Sequence, residues 1–373
     1  SETSSPSAPP RGPLPVRAAS VAGPAEPFSS ARPAPAGDGV HAAWIQTSNP
    51  IGGQAGDPKR HLEAMKDLDF VVVVDTIQTP TSVALADIFL PAAVLGEKES
   101  FRNWWWPLTN MVKAVDSGDT KSDWEINLEL AKRFNPELRR RFDTVKDLID
   151  DRLKPSGYTF DELKDGHWKF PEKDTPTRPY RRYEKGLLRP DGKPGFRTPS
   201  GKLELYCTSF EQWGMDPLPF FTEAPESEVR TPELAEKYPL VMVTGRRSPV
   251  FFHSEHRQIP WLRECDPDPI VEIHPQTAAE LGIDDGEWVA IVNDRGRIKR
   301  KAKLTPIVHP RVVSVPHGWW LPETDGREPN LYGIWDINCN ILTNIGPGDA
   351  SGYGGGPYKT PLVAVKRLGE GEE

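Results

Sequence analysis

VVVVDTIQTPTSVALADIFLPAAVLGEKE, Val71 to Glu99, is the stretch on which the fold turns. Val71 to Val74 is an unbroken β-branched run without polar alternation, the pattern of a strand buried on both faces of a parallel sheet. Asp75 ends it. A carboxylate at the carboxyl end of such a strand lies on the rim where doubly wound sheets bind nucleotides, and it can accept from ribose hydroxyls or a purine edge; it can equally cap the next helix. Thr79, Pro80 and Thr81 open a short helix. Ala86 to Pro91 then reads as a second buried strand, closed by a proline where no ladder donor is needed. Two parallel strands imply a crossover unit.

Upstream, His41 to Asn49 (HAAWIQTSN) reads as a strand running into a loop, where Asn49-Pro50 and Gly52-Gly53 permit close backbone approach to a ligand. Asp57 to Lys66 supplies the helix between this strand and Val71. A sheet of so few parallel strands leaves a costly edge, so further strands are expected from elsewhere. Before it, Ser1 to Gly39 is rich in Pro, Ala and Ser with almost no large apolar residue, and is expected to be disordered.

Downstream, Trp104, Trp105 and Trp106 follow one another, and adjacent aromatics cannot share one face; at least one is expected to meet a partner or ligand. Ser122 with Glu125 forms a capping box, and Trp124, Leu128 and Ala131 mark the face of the helix it starts, which stops at Asn135-Pro136. Thr144 with Asp147 and Thr159 with Glu162 begin two more helices. Gly166 to Gly201 is a surface connection. From Tyr238 the texture is β: Leu240 to Val243 is a buried strand ending in Thr244-Gly245-Arg246, and Asp294-Arg295-Gly296 joins Glu287–Asn293 to Arg297–Leu304 as a hairpin whose exposed turn leaves Arg295 solvated. In the latter strand Ile298, Ala302 and Leu304 alternate with Arg297, Lys299, Lys301 and Lys303, one buried face and one wet one. Val312 to Val315 adds a strand and His274 to Leu281 a helix closed by Gly282, so a small mixed barrel is expected. The fold class is α/β: a partial parallel-sheet, Rossmann-like domain at 40–165, a connection at 166–237 and a β-barrel domain at 238–373.

The formal charge is -8 over 373 residues, and no local basic face stands out, which argues against nucleic acid. No apolar run approaches the ~20 residues of a membrane helix and the first residues lack a secretory core, so no membrane contact is expected from this chain and a cytoplasmic location is favoured unless it is exported with a partner. Cys207, Cys265 and Cys339 form no CxxC, so no metal site is assigned and all three are read as buried thiols. No GxGxxG follows a predicted strand, which disfavours a nicotinamide enzyme.

The ordered series Asp75, Thr79, Thr81, Ala86-Asp87, Leu90-Pro91, Glu97-Lys98, Ser122-Asp123-Trp124, Thr198 to Glu204, Thr244-Gly245-Arg246, His253-Ser254, His274-Pro275, Ala278, Asn340 to Thr343 and Lys359 resembles the molybdopterin oxidoreductases of the dimethyl sulfoxide reductase superfamily, in their C-terminal part. The wording FFHSEHRQIPWLRE, HGWWLPE and LYGIWDINCNILT is most similar to the branch holding acetylene hydratase, pyrogallol transhydroxylase and the catechol dehydroxylases. The resemblance implies part of an α/β domain followed by a double-psi β-barrel, gripping molybdenum or tungsten held by two pterin guanine dinucleotides. By position, Asp75 resembles a guanosine contact, Lys98 a phosphate or ribose contact and Asp123 a guanine-edge acceptor. Asn49 is placed with the cofactor-binding residues, Thr244, Gly245, Arg246, His253 and Ser254 resemble the loop that cradles pterin and phosphate, and Asn340 and Lys359 resemble later contacts. Trp319, Trp320 and Trp335 would line the substrate approach.

Guanine presents adjacent donors to a carboxylate, and a pyrophosphate favours guanidinium, ammonium and free amides. The four-cysteine cluster motif and the residue ligating the metal are not in this sequence, so no catalytic residue is assigned. An iron-sulfur cluster is expected only in the missing N-terminal part, and the partner is an N-terminal half or a catalytic subunit carrying it. The function implied is the cofactor-binding portion of an oxidoreductase acting on oxygen or hydroxyl groups of a small substrate; the alternative is a non-catalytic subunit that binds the pterin dinucleotide or docks on a catalytic one.

Overall fold

Buried on both sides, the valine run forms the middle strand of a three-stranded parallel sheet, β1 (Ala42–Gln46), β2 (Phe70–Asp75) and β3 (Ile88–Pro91), in that spatial order. Val71 and Val73 pack with Ile45, Leu62 and Leu85; Val72 and Val74 pack with Ala92 and Ile126 on the other face. Helices α1 (Pro58–Lys66) and α2 (Pro80–Leu85) therefore cover one side and α3 (Asp123–Phe134) the other. Each fully buried valine contributes about 1.5 to 3 kcal/mol, enough for the run to set the register. The computed structural model describes residues 39–102, 108–116, 118–166, 180–218, 221, 223–245, 248–344 and 357–369. The expectation of disorder before Gly39 and the tryptophan run 104–106 lie outside them.

Local caps act where the sequence places them. Thr79 and Ser82 form a capping box on α2, and Ser122 and Glu125 one on α3. On α3 the fully buried face is Ile126 and Leu128 rather than Trp124, which tilts against Phe101 with centroids 6.0 Å apart. The second strand is shorter and wetter than expected: it starts at Ile88, which is 44% exposed, after Asp87, an exposed residue whose carboxylate accepts from the Val71 amide at 2.7 Å. Beyond β3 the described pairing is one parallel bridge, Ala92 to Lys121. A hairpin, β4 (Ser100–Arg102) with β5 (Thr109–Met111), precedes α3. Three helices follow it: α4 (Pro136–Arg141), α5 (Val145–Leu153) and α6 (Phe160–Gly166).

Six strands close the barrel: β6 (Leu240–Val243), β7 (Ile270–Ile273), β8 (Trp288–Asn293), β9 (Gly296–Leu304), β10 (Val312–Ser314) and β11 (Leu362–Arg367). Around the barrel the order is β10-β6-β11-β8-β9-β7, with β10·β6 and β7·β9 parallel and the other pairs antiparallel. Its interior holds Met242, Val271, Ile273, Ile291, Ile298 and Val313. The chain after β10 returns to the sheet, where Trp320, Leu331 and Ile334 join the core around Val71 and Val73.

Three readings need correction. Arg300 belongs to the buried face of β9 between Ile298 and Ala302, so that face is not wholly apolar. Of the cysteines only Cys339 is buried; Cys207 is half-buried and Cys265 exposed. Arg295 is not a solvated turn residue, because its guanidinium grips Glu226 through Nη1 at 2.5 Å and Nη2 at 3.1 Å.

Candidate functional site

Several loops converge beside the carboxyl ends of the sheet strands. After β1, Asn49 caps a π-helical turn, Pro50–Gln54; its Oδ1 accepts from the Gly52 amide at 3.2 Å and from Thr81 Oγ1 at 2.7 Å. Thr81 in turn accepts from the Ile51 amide at 3.0 Å. A Cβ on Gly52 would fall 2.5 Å from the Asn49 side chain and one on Gly53 3.0 Å from Ser254, so both glycines serve close approach, here of protein to protein.

Loops of the barrel half clasp this turn. Asn338 Nδ2 donates to the Gly52 carbonyl at 3.1 Å, Asn340 Nδ2 to that of Ala55 at 2.9 Å, and the Tyr358 hydroxyl to that of Gln54 at 3.2 Å. After β6, Thr244 Oγ1 donates to the Tyr358 carbonyl at 3.1 Å, and a Cβ on Gly245 would lie 3.9 Å from Lys359 Cε. His253, with φ +52°, sets Nδ1 2.8 Å from His317 Nε2, and His317 Nδ1 lies 3.0 Å from the Thr244 carbonyl. A carbonyl only accepts, so His317 carries its proton on Nδ1, and in the neutral pair His253 donates to His317. Trp320 Nε1 donates to the Ser254 carbonyl at 2.7 Å.

Asn49, Thr244, Gly245, His253, Ser254, Asn340 and Lys359 thus belong to one linked set of loops. Asp75, at the end of β2, holds the Thr76 amide at 2.7 Å. Burial raises its pKa and repulsion from Glu255 adds to this, against hydrogen bonds from Thr76 and Ile77. Lys98 and Asp123 meet at the start of α3: Asp123 accepts from Lys98 Nζ at 3.0 Å and from Gln46 Nε2 at 2.9 Å. Burial works against its charge, but these bonds prevail and hold its carboxyl below the usual range. Each oxygen keeps a second lone pair.

Arg246 lies outside the described residues. Trp319 and Trp320 are each 1% exposed and belong to the core, so they do not line an open substrate approach; Trp335 is partly buried, with Lys59 Nζ 5.7 Å from its ring centre. Sequence reasoning missed Thr81 as an anchor for Asn49, and His317, Asn338 and Tyr358 altogether. The Asn338-x-Asn340 spacing was the one available signal.

Asp75 gives a pH-dependent expectation. A raised carboxyl pKa contributes stability below the unfolded value of 3.8 and loses it as pH rises through the folded value. Asp75→Asn should therefore melt higher than the parent at pH 7, by about 2 °C or less, with the difference vanishing below pH 3.8. Melting curves across that range check it; a variant less stable at pH 7 would contradict the charge argument.

One donor in the set is unsatisfied. Asn49 is 7% exposed, and its Nδ2 has no hydrogen-bond partner among the described residues. A buried amide donor left over within these loops fits a ligand rich in acceptors, as phosphate and pterin are.

The comparisons agree with this chemistry. Residues 15–133 match the molybdopterin oxidoreductase family and residues 240–359 the molydopterin dinucleotide binding domain; the first match begins inside the stretch expected to be disordered. Acetylene hydratase of Syntrophotalea acetylenica is 33% identical over 77% of this chain and 38% of its own length, and dopamine dehydroxylase of Eggerthella lenta 34% identical over 76% and 34%. The solved acetylene hydratase of Pelobacter acetylenicus superposes with a TM-score of 0.75 at 28% identity, over 88% of this chain and 44% of that one. The chain thus spans between 34% and 44% of the length of these relatives. With matches on both the sheet half and the barrel half, it belongs to the molybdopterin oxidoreductase family.

Proposed function

We propose that this chain is the C-terminal, dinucleotide-gripping portion of a larger molybdenum or tungsten enzyme with two pterin guanine dinucleotides, acting on oxygen or hydroxyl groups of a small substrate. The observation that carries the reading is the buried, unpartnered Asn49 Nδ2 within loops hydrogen-bonded from both halves of the fold. When bound, the pterin-held metal supplies the redox or group-transfer chemistry. The residues here bind and orient: Asn49 donates to an acceptor, Thr244, Gly245, Arg246, His253, Ser254, Asn340 and Lys359 surround pterin and phosphate, Lys98 neutralises phosphate, and Asp75 and Asp123 accept from guanosine. The metal's protein ligand and the iron-sulfur cluster come from the rest of the enzyme, as a preceding half or a separate subunit. Burial pushes the Cys339 thiol up to about 11, so it stays protonated and makes a poor metal ligand.

The test uses guanosine diphosphate, a piece of the dinucleotide, titrated into the full chain against adenosine diphosphate. Saturable binding with a preference for guanine of tenfold or more is expected, and Asp123→Asn should remove the preference, since a charge-assisted bond is worth about 1.5 to 3 kcal/mol. The variant should also melt slightly lower at pH 7, because Lys98 loses its partner; a contribution from a lowered carboxyl pKa is present above 3.8 and lost as pH falls below it. Equal affinity for the two nucleotides in the parent chain would refute the assignment. Turnover separates the second reading: a chain that only captures or docks gains none when a metal-bearing partner is supplied.

A further inference from the structure

Arg300 projects from β9 into the barrel wall fully buried, and its Nη2 donates to the Pro316 carbonyl at 3.2 Å. Arg257, 2% exposed, donates from Nη2 to the next carbonyl, that of His317, at 3.2 Å, and from Nη1 to that of His253 at 2.5 Å. Two guanidinium groups therefore reach consecutive peptide units. Arg263 is close by: its Cζ and that of Arg257 each lie 4.9 Å from the ring centre of Trp319. Glu323 pairs with Arg263 at 2.9 Å, but among the described residues no carboxylate pairs with Arg257 or Arg300.

The hydrogen-bond inventory sharpens this imbalance. Among the described residues, Arg257 Nε, Arg263 Nη1 and both Nε and Nη1 of Arg300 are shut from solvent and unpartnered, and the one such acceptor nearby in sequence is Gln258 Oε1. Burial, with repulsion from Arg300 and Arg263, lowers Arg257 to about 9, and burial lowers Arg300 to about 10, so both still carry charge at neutral pH. Water could complete the hydrogen bonds, but it does not neutralise adjacent like charges in a low-dielectric interior. Side chains this enclosed admit nothing as large as a nucleotide.

We propose that Arg257 and Arg300 hold a small inorganic anion of the halide class inside the fold. Because Arg257 also grips the His253 and His317 carbonyls, the anion keeps closed the two loops that carry the histidine pair. It offsets the repulsion that would otherwise push Arg257 away from them. The site goes beyond the dinucleotide reading and stands without it.

The experiment is thermal unfolding of the full chain with sodium chloride titrated against sodium gluconate at constant ionic strength. A saturable rise of the midpoint, roughly 5 °C between none and a hundredfold excess over the dissociation constant, is expected. Arg300→Met should flatten the response, while Arg327→Met, at an exposed arginine, should keep it. Should Arg300→Met not fold, bromide soaked into crystals of the parent chain decides: an anomalous peak between the two guanidinium groups supports the site. A midpoint indifferent to chloride, or bromide bound only at the surface, overturns it and leaves the arginines satisfied by water.

Discussion

Gly318→Ala should lower the melting temperature by roughly 5 to 15 °C and release the loops around the histidine pair. Gly318 has φ +71°, and a Cβ there would lie 2.7 Å from the His253 carbonyl group and 2.9 Å from the Ser254 amide nitrogen. The obstruction is backbone, which cannot swing aside as a side-chain tip can. A left-handed conformation costs a non-glycine residue about 1 to 2 kcal/mol, and overpacking adds about 1 to 3. The separation of the 253–254 and 317–318 stretches would also break the 2.8 Å contact between His253 and His317. Gly282 provides the comparison: it too has positive φ, but nothing lies within 4 Å of its Cβ position, so Gly282→Ala should show the conformational cost alone. Equal losses in the two variants would show that the close approach at Gly318 is not tight in solution.

A second large effect is expected from Glu226→Ala. Glu226 lies in the connection ahead of the barrel, its side chain 18% exposed, and takes both Nη atoms of Arg295 while also accepting the Leu362 amide at 2.8 Å. Removing it strands a guanidinium that is only 26% exposed and the first amide of β11. Breaking a fully buried pair costs about 3 to 5 kcal/mol; partial exposure here brings the expectation to about 2 to 3, or roughly 5 to 10 °C in midpoint. Arg327→Ala should leave the unfolding midpoint unchanged within error, since that guanidinium is 85% exposed beside Asp325. Urea unfolding of both variants checks the contrast, and a Glu226 variant as stable as the Arg327 one would mean that the connection does not brace the barrel.

What could be read from the sequence was whatever local chemistry decides. An unbroken valine run can satisfy neither face in water, so β2 and its sandwiching helices were legible from four residues. The boxes at Ser122 and Thr144 announced helix starts because a cap and its partner lie three residues apart. Arg300 was overlooked because charge in a strand normally marks the wet face, and only the closure of the barrel shows it facing inward. Arg295 looked solvated because its partner lies far back in the chain. The clasp between Asn338, Asn340 and the turn at Ile51 to Ala55 joins residues 285 to 287 apart in sequence, and the Asn338-x-Asn340 spacing alone says nothing of its partner. The family resemblance suggested a funnel at Trp319 and Trp320, whereas their burial against Arg257 and the sheet core makes them packing residues.

The central claim is that the loops joined to Asn49 grip a pterin guanine dinucleotide. The most direct measurement is equilibrium dialysis of the purified full chain against molybdopterin guanine dinucleotide, with retained ligand counted as guanosine monophosphate released by acid. Saturable retention by the parent chain is predicted, with a loss of about tenfold in affinity for Asn49→Leu, which cannot donate to the ligand. Retention no greater than that of an unrelated protein, or an Asn49→Leu chain that binds like the parent, would contradict the account.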